Sequence, residues 1–266
     1  MTDYQTLTVS HPRPGVALAT LARPHRRNAI TFEMFDEFIA LQSEIDADPE
    51  VRALVVTGEG PGFCAGLDLD LAAGLPTMSA TAMLNGQEHW ARSITGFARM
   101  DTPVIAAVNG AAAGAGMGLA LAADVRVAAE QARFNAAFVR IGLSGGDVGT
   151  SYLLPRLVGA GRAAEILLTG RFVDAAEALR IGLVTAVVGA EALLERAFDT
   201  AALIAMNSPV GMRLTKRVLA TNVDAPSLDA ALEVENRNQV LATRTTDMAE
   251  AFAAFRDKRD PVFRGE

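Results

Sequence analysis

Val104-Ile105-Ala106-Ala107-Val108-Asn109-Gly110-Ala111-Ala112-Ala113-Gly114-Ala115-Gly116-Met117-Gly118 is the stretch whose reading decides the architecture. Five apolar, β-prone residues end at Asn109-Gly110, small residues follow, and a short apolar helix opens over Leu119 to Ala123. Thr102 to Ala123 runs 22 residues without a charge. Pro103, Asn109 and four glycines interrupt it and alanine supplies most of its apolarity, so insertion into a bilayer would gain little. The stretch predicts a buried strand, a tight turn and a buried helix. Strand, turn and helix in that order are the unit of an α/β fold, and the helix start leaves backbone N–H groups aimed outward.

Neighbouring segments repeat the pattern. Thr6 to Val9 and Val16 to Leu21 are β-prone runs joined by His11-Pro12-Arg13-Pro14-Gly15, which predicts an opening hairpin. Thr31 can cap a helix whose apolar face is Phe35, Phe38, Ile39 and Ile45. Ala53 to Val56 reads as a buried strand, as do Val125 to Ala128 and Arg133 to Ala137. From Glu191 the pattern becomes helix after helix, which divides the chain into an α/β core over 1–199 and a helical region over 200–266. In the latter, Met206, Met212, Leu214, Val218 and Leu219 offer apolar surface for a core-facing helix pair or for a subunit interface.

The 266 residues allow one large domain or two small ones. A chain that is 50% hydrophobic and 21% charged has the balance of a globular protein. The single cysteine, Cys64, excludes an intrachain disulfide, and His11, His25 and His89 are too scattered for a zinc site, so no metal is expected. Met1 to Ser10 lacks a basic-then-apolar signal, and a cytoplasmic location is expected. A net charge of −7 argues against a nucleic-acid partner, and no membrane partner is expected. Two basic spots remain: Arg23, Arg26 and Arg27, and Arg256, Lys258, Arg259 and Arg264. Each is a solvated face or part of a clamp for a phosphorylated ligand.

Two glycine-bearing turns can carry chemistry. One is Phe63-Cys64-Ala65-Gly66-Leu67-Asp68-Leu69; the other runs from Asn109 to Gly118. One N–H from each would make an oxyanion hole. A dinucleotide fingerprint at Gly114-Ala115-Gly116 fails on spacing, because the third glycine position is Leu119. Close helix packing is the other use of such glycines.

These residues resemble the enoyl-CoA hydratase/isomerase, or crotonase, superfamily. The resemblance is carried by Arg23-Pro24-His25-Arg26-Arg27-Asn28-Ala29, the turn at 63 to 69, Pro103 to Gly110 and the glycine-rich helix start. Asp124 to Ala128, Leu154 to Gly159, Leu168 to Arg171, Ile181 to Val184 and Lys258 to Phe263 continue it over the whole chain in one order. It implies a ββα spiral with a helical C-terminal region for trimerisation, as a homotrimer or a dimer of trimers. It implies an acyl-CoA substrate, with coenzyme A as part of that substrate and no separate cofactor. The thioester oxygen would be held by the N–H groups of Leu67 and Ala115. Around the ligand would stand Arg27, Asn28, Ala29, Ala65, Gly66, Asp68, Leu69, Gly114 and Lys258.

The acid/base positions depart from the hydratases of that superfamily, whose two glutamates correspond to Gly118 and Phe138. The carboxylate left in the region is Asp147, within Ser144-Gly145-Gly146-Asp147-Val148-Gly149-Thr150, which resembles the dienoyl-CoA isomerase branch and, in part, the 4-chlorobenzoyl-CoA dehalogenase branch. Asp147 is expected as the proton shuttle of a double-bond isomerisation or hydration, alternatively as a nucleophile, and also as the N-cap of a helix over Val148 to Leu157. A non-catalytic acyl-CoA binding protein is the remaining alternative. Glu88 reads as a solvated residue and His89 as a helix-surface or packed histidine, and both stand next in line for acid/base work; buried Cys64 reads as inert. Gly74 to Gly86, rich in Ala, Met and Leu, reads as a lid over the acyl pocket.

Overall fold

The computed structural model describes residues 3–266. Strands β1 (Leu7–Arg13) and β2 (Val16–Leu21) form the expected antiparallel hairpin, but β1 runs through His11 and Pro12, with a register shift between Ser10 and Arg13. Pro12 lacks an N–H, and an edge strand with a bulge is where a sheet tolerates that. Helix α1 (Phe32–Ala47) starts where the sequence places it: Thr31 Oγ1 accepts from the Met34 N–H at 3.1 Å. Its buried stripe is Met34, Phe35, Phe38, Leu41 and Ile45, at helical spacing.

Strand β3 (Ala53–Gly58) is followed by the short α2 (Leu69–Ala72) and the long α3 (Ala80–Arg99), and then by β4 (Val104–Val108). Every residue of β3 and β4 is buried, which their unbroken apolar runs require of central parallel strands. After β5 (Ala111–Ala113), helix α4 (Ala115–Ala122) begins four residues earlier than the apolar run Leu119 to Ala123 suggests, because glycines at 116 and 118 are helical here. Next come β6 (Val125–Ala129), β7 (Arg133–Asn135), α5 (Thr150–Val158), α6 (Ala160–Thr169), β8 (Phe172–Asp174), α7 (Ala175–Arg180) and β9 (Ala186–Val188). One sheet has the order β1-β2-β3-β4-β6-β9, parallel from β2 onward; β5, β7 and β8 form a second, smaller sheet.

The main sheet has a core on each face. On one side α1, α3 and α4 bury Phe38, Phe97, Ile94 and Met117, each side chain contributing roughly 1.5–3 kcal/mol of transfer free energy. On the other, helix α8 (Leu193–Ala205) sets Leu193, Ala197 and Ala201 against Val55, Ile105 and Val127. The expected division at 199/200 therefore falls inside a helix that belongs to the core, and the helical region proper begins with α9 (Pro209–Asn222), α10 (Leu228–Ala242) and α11 (Thr246–Asp257). These keep Leu219, Leu228, Phe252 and Phe255 exposed. No helix of the described residues is long and apolar enough to cross a membrane.

Candidate active site

The parallel strands end at the two glycine turns, and bridges lock the turns together. Cys64 pairs with Ala112 as an isolated parallel bridge, with Cys64 N–H donating to Ala111 O at 3.0 Å and Ala113 N–H to Cys64 O at 2.9 Å. Ile30 pairs in the same way with Leu67. Gly66 (φ +90°) lies so close to the second turn that a Cβ there would meet Ala113 O at 2.7 Å and Ala115 N at 3.3 Å, which only glycine permits. Leu67 N–H is left between the two arms of its bridge, and Ala115 is the first residue of α4, ahead of the first intrahelical bond from Gly118 N–H to Gly114 O. Among the described residues neither N–H has a hydrogen-bond partner.

Leu67 and Ala115 both line a cavity of about 410 Å³. Its wall is apolar: Phe35, Leu75, Met83, Trp90 and Phe138 are among its lining residues, with Ile141 and Leu143 toward solvent. Trp90 is held in place by stacking on Phe32 and Phe35, centroids 5.0 and 6.0 Å away. Leu75 and Met83 come from the stretch read as a lid. Among the described residues, Asp147 is the one ionisable side chain in the lining.

Asp147 is half-buried, and burial pushes its carboxyl above the ordinary range, against the hydrogen bonds from Val148 N–H and Gln87 that favour the anion. Its main-chain carbonyl accepts from both the N–H and the Oγ1 of Thr150, at 2.8 Å each, which fixes the loop to the start of α5. The expected N-cap is not there. Helix α5 starts after Gly149 (φ +85°), without a side-chain cap, and Asp147 is among the residues that line the cavity. Its Oδ1 takes the Val148 N–H at 2.8 Å.

Val148 explains the fate of the two glutamate positions. It holds φ +40°, a strained value for a β-branched residue, and its side chain fills the space over Gly118. A Cβ at 118 would lie 2.5 Å from Val148 Cγ2. Position 118 thus lacks not only a carboxylate but also the room for one.

Of the remaining expected residues, Ala65, Gly66, Leu67, Leu69, Gly114 and Ala115 line the cavity, and Ala29 is buried close behind. Asn28 is fully buried, at φ +55°, and its amide is spent on main chain: Oδ1 accepts from Arg23 N–H, and Nδ2 donates to Glu59 O and Gly62 O. It braces the turns and cannot offer its side chain to a ligand. Asp68, nearly buried, caps α2 through Asp70 N–H and accepts from Arg26 and Arg23, with Arg26 foremost in holding its carboxyl below the usual range. Of the first basic spot, Arg27 stays exposed, without a side-chain partner among the described residues. Lys258 is not brought to the cavity. It closes α11 in a left-handed conformation, and the following Phe263 O is tied to Arg52 at the start of β3, the opposite end from the glycine turns. Arg259 is paired with Glu250.

Glu88 and His89 lie outside the lining, His89 Nε2 meeting Asp36 Oδ1 at 2.6 Å on an exposed face. Cys64 is fully buried, and its thiol is pushed up to about 12 by that burial. Sequence reasoning missed Gln87, whose Nε2 donates to Asp147 Oδ1 from α3. A signal for it exists: Met83, Gln87, Trp90, Ile94 and Phe97 form one stripe at helical spacing, and an amide within an apolar stripe needs a buried partner.

The family model of enoyl-CoA hydratase/isomerase matches residues 12–266. The chain belongs to the enoyl-CoA hydratase/isomerase family. It is 43% identical over 260 residues to a probable enoyl-CoA hydratase of Mycobacterium tuberculosis, covering 96% of this chain and 91% of that one. It is 36% identical to the 1,2-epoxyphenylacetyl-CoA isomerase of Escherichia coli, covering 97% and 98%. The crystal structure of a putative enoyl-CoA hydratase from Streptomyces coelicolor superposes with a TM-score of 0.94 at 40% identity, covering 100% and 96%. Enoyl-CoA hydratases and isomerases alike are thus among the relatives of this family enzyme, an acyl-CoA enzyme of mixed α/β fold.

Proposed function

We propose that the protein isomerises a double bond in an acyl-CoA thioester, with Leu67 and Ala115 N–H groups holding the thioester oxygen and Asp147 moving the proton. One observation carries this reading: among the described residues, Asp147 is the one ionisable group in the apolar cavity lined by Leu67 and Ala115, whose N–H groups have no partner there. The ionised carboxylate takes a proton from the carbon beside the thioester carbonyl, and the electron pair is delocalised onto the thioester oxygen, where two preorganised donors meet it. The proton then returns to the far end of the conjugated enolate. Nothing else is consumed or released, so one carboxylate suffices. Hydration asks for a second group to hold water, and Gly118 and Phe138 supply none. An apolar wall keeps the carboxylate poorly solvated and so more basic, which suits abstraction from carbon.

Exposed Arg27 beside the Ala65 turn fits a phosphate-bearing coenzyme A moiety. The exposed apolar side chains of α9, α10 and α11 support a homotrimer or dimer of trimers, which light scattering would report as a mass well above the 27.9 kDa of one chain. The function is tested by a turnover panel of saturated, 2-enoyl, 3-enoyl and dienoyl thioesters. Double-bond migration should exceed hydration of the 2-enoyl thioester by at least ~10-fold, the margin expected where one of two proton-transfer groups is absent. Faster hydration would refute the reading.

A further inference from the structure

We propose that Gln87 is the positioning residue that fixes which oxygen of Asp147 transfers the proton. The inference rests on the isomerase reading above and deepens it. Gln87 Nε2 and Val148 N–H both donate to the same atom, Asp147 Oδ1, while Oδ2 has no partner among the described residues. One oxygen is thus fully engaged and the other is free to meet a proton on substrate.

The two donors come from independent parts of the chain. Val148 N–H is aimed back at Oδ1 by the strained left-handed backbone at 148, which Thr150 anchors through the Asp147 carbonyl. Gln87 comes from the α3 stripe that also contributes Met83 and Trp90 to the cavity wall. A carboxylate pinned by one donor can still swing about its Cβ–Cγ bond; a second donor to the same oxygen removes that freedom. Because Gln87 shares its helix with wall residues, the seat of the acyl group and the aim of the base are set by one rigid element.

The electrostatic surroundings are simple. From α3 the groups beside Gln87 are Glu88, which is outside the lining, and His89, which is held by Asp36 of α1. From α2 and the following turn come Leu69, Ala72 and Leu75, from α4 Ala115, and from the loop before α5 Ser144 and Val148, none of them ionisable at neutral pH. A change in the titration of Asp147 on substituting Gln87 therefore reports the direct contact.

The test compares Gln87→Met, which keeps length and removes the donor, with Gln87→Glu, which keeps the shape and adds a carboxyl. The probe is trans-3-hexenoyl-CoA, followed by formation of the conjugated thioester across pH. For Gln87→Met, kcat should fall about 10- to 100-fold with KM within about threefold, as for a misaimed catalytic group. The acid limb of the kcat profile should move to higher pH, because a donor to the anion is gone. In Gln87→Glu the limb should move further, since two neighbouring carboxyls hold a proton between them. The carboxyl titration of Asp147 should follow the same order when read without turnover by carbon NMR of Asp-labelled protein, with Asp147→Asn for assignment. If both variants keep kcat within twofold and the limb and the titration stay in place while Asp147→Asn is inactive, the role of Gln87 is overturned and the proton-transfer reading survives. If Asp147→Asn itself stays active, both fall.

Discussion

Gly118→Ala is the smallest change that probes how the loop bearing Asp147 is held. The new Cβ would stand 2.5 Å from Val148 Cγ2 and 3.3 Å from Val148 O, inside a fully buried helix. Relieving that clash requires Val148 to shift by about 1 Å, and overpacking of this kind costs ~1–3 kcal/mol. Replacing a helical glycine by alanine returns ~0.5–1 kcal/mol through helix propensity, which leaves a net change between about 0 and a loss of about 2.5 kcal/mol. Gly161→Ala provides the control: it lies in α6 with nothing within 4 Å of its would-be Cβ, and should stabilise by ~0.4–1 kcal/mol. Urea denaturation gives both values. Turnover should fall in Gly118→Ala, because Val148 N–H is one of the donors that hold Asp147. Adding Val148→Gly removes the obstacle and the left-handed strain at once, so the double variant should be more stable than the sum of the single effects by at least about 0.5 kcal/mol. Additivity, or a Gly118→Ala variant stabilised as much as Gly161→Ala, would refute the linkage between position 118 and the loop.

Three further outcomes follow from the same geometry. The carboxyl of Asp147 is raised in the folded state, so above its folded pKa the anion costs stability that the unfolded chain does not lose. Asp147→Asn should therefore melt higher than wild type at pH 7, with the gap closing below about pH 3.9, where the unfolded carboxyl is protonated too; an unchanged gap across that window contradicts the assignment. Asn28→Ala removes three hydrogen bonds to main chain, one of them to the buried Gly62 O, and forces alanine to a positive φ, and should cost ~2–4 kcal/mol in denaturation with urea; a loss below 1 kcal/mol would mean the turns are braced otherwise. Cys64, with its thiol near 12, should resist iodoacetamide at pH 8 in the folded protein and react once unfolded in urea, and rapid labelling of the native protein would show that the turn opens.

Much of this site is legible in the sequence, for identifiable reasons. The apolar runs of β3 and β4 read as buried central strands, and the glycines at 66 and 116 mark the places where the two turns touch; together they locate both N–H donors. Asp147 is legible by elimination, since Gly118 and Phe138 carry no proton. Its surroundings are not. A cap at Asp147 is what local pattern suggests, yet Gly149 takes a left-handed conformation and starts α5 without it, which frees the carboxylate for the cavity. Asn28 shows the reverse error: a motif residue beside a ligand pocket is spent on main chain, a fact set by chain segments around 59 to 62 that no local reading contains. Lys258 misleads in another way, because proximity to basic neighbours in sequence says nothing about which end of the sheet they reach. Gln87 is sixty residues from its partner, and only the stripe on α3 hints that it needs one.

Deuterium uptake reports whether an enolate forms between two backbone donors and one carboxylate. Incubated with trans-3-hexenoyl-CoA in D2O, the wild-type protein should introduce solvent deuterium at the ends of the conjugated enolate, at C4 of the product and, on return of the enolate to substrate, beside the thioester carbonyl, seen by mass spectrometry. Asp147→Asn should bind the thioester within about threefold of wild type while its exchange falls by roughly 10²- to 10⁴-fold, the span of a lost general base. Exchange by Asp147→Asn at more than about half the wild-type rate would mean that a group other than Asp147 moves the proton.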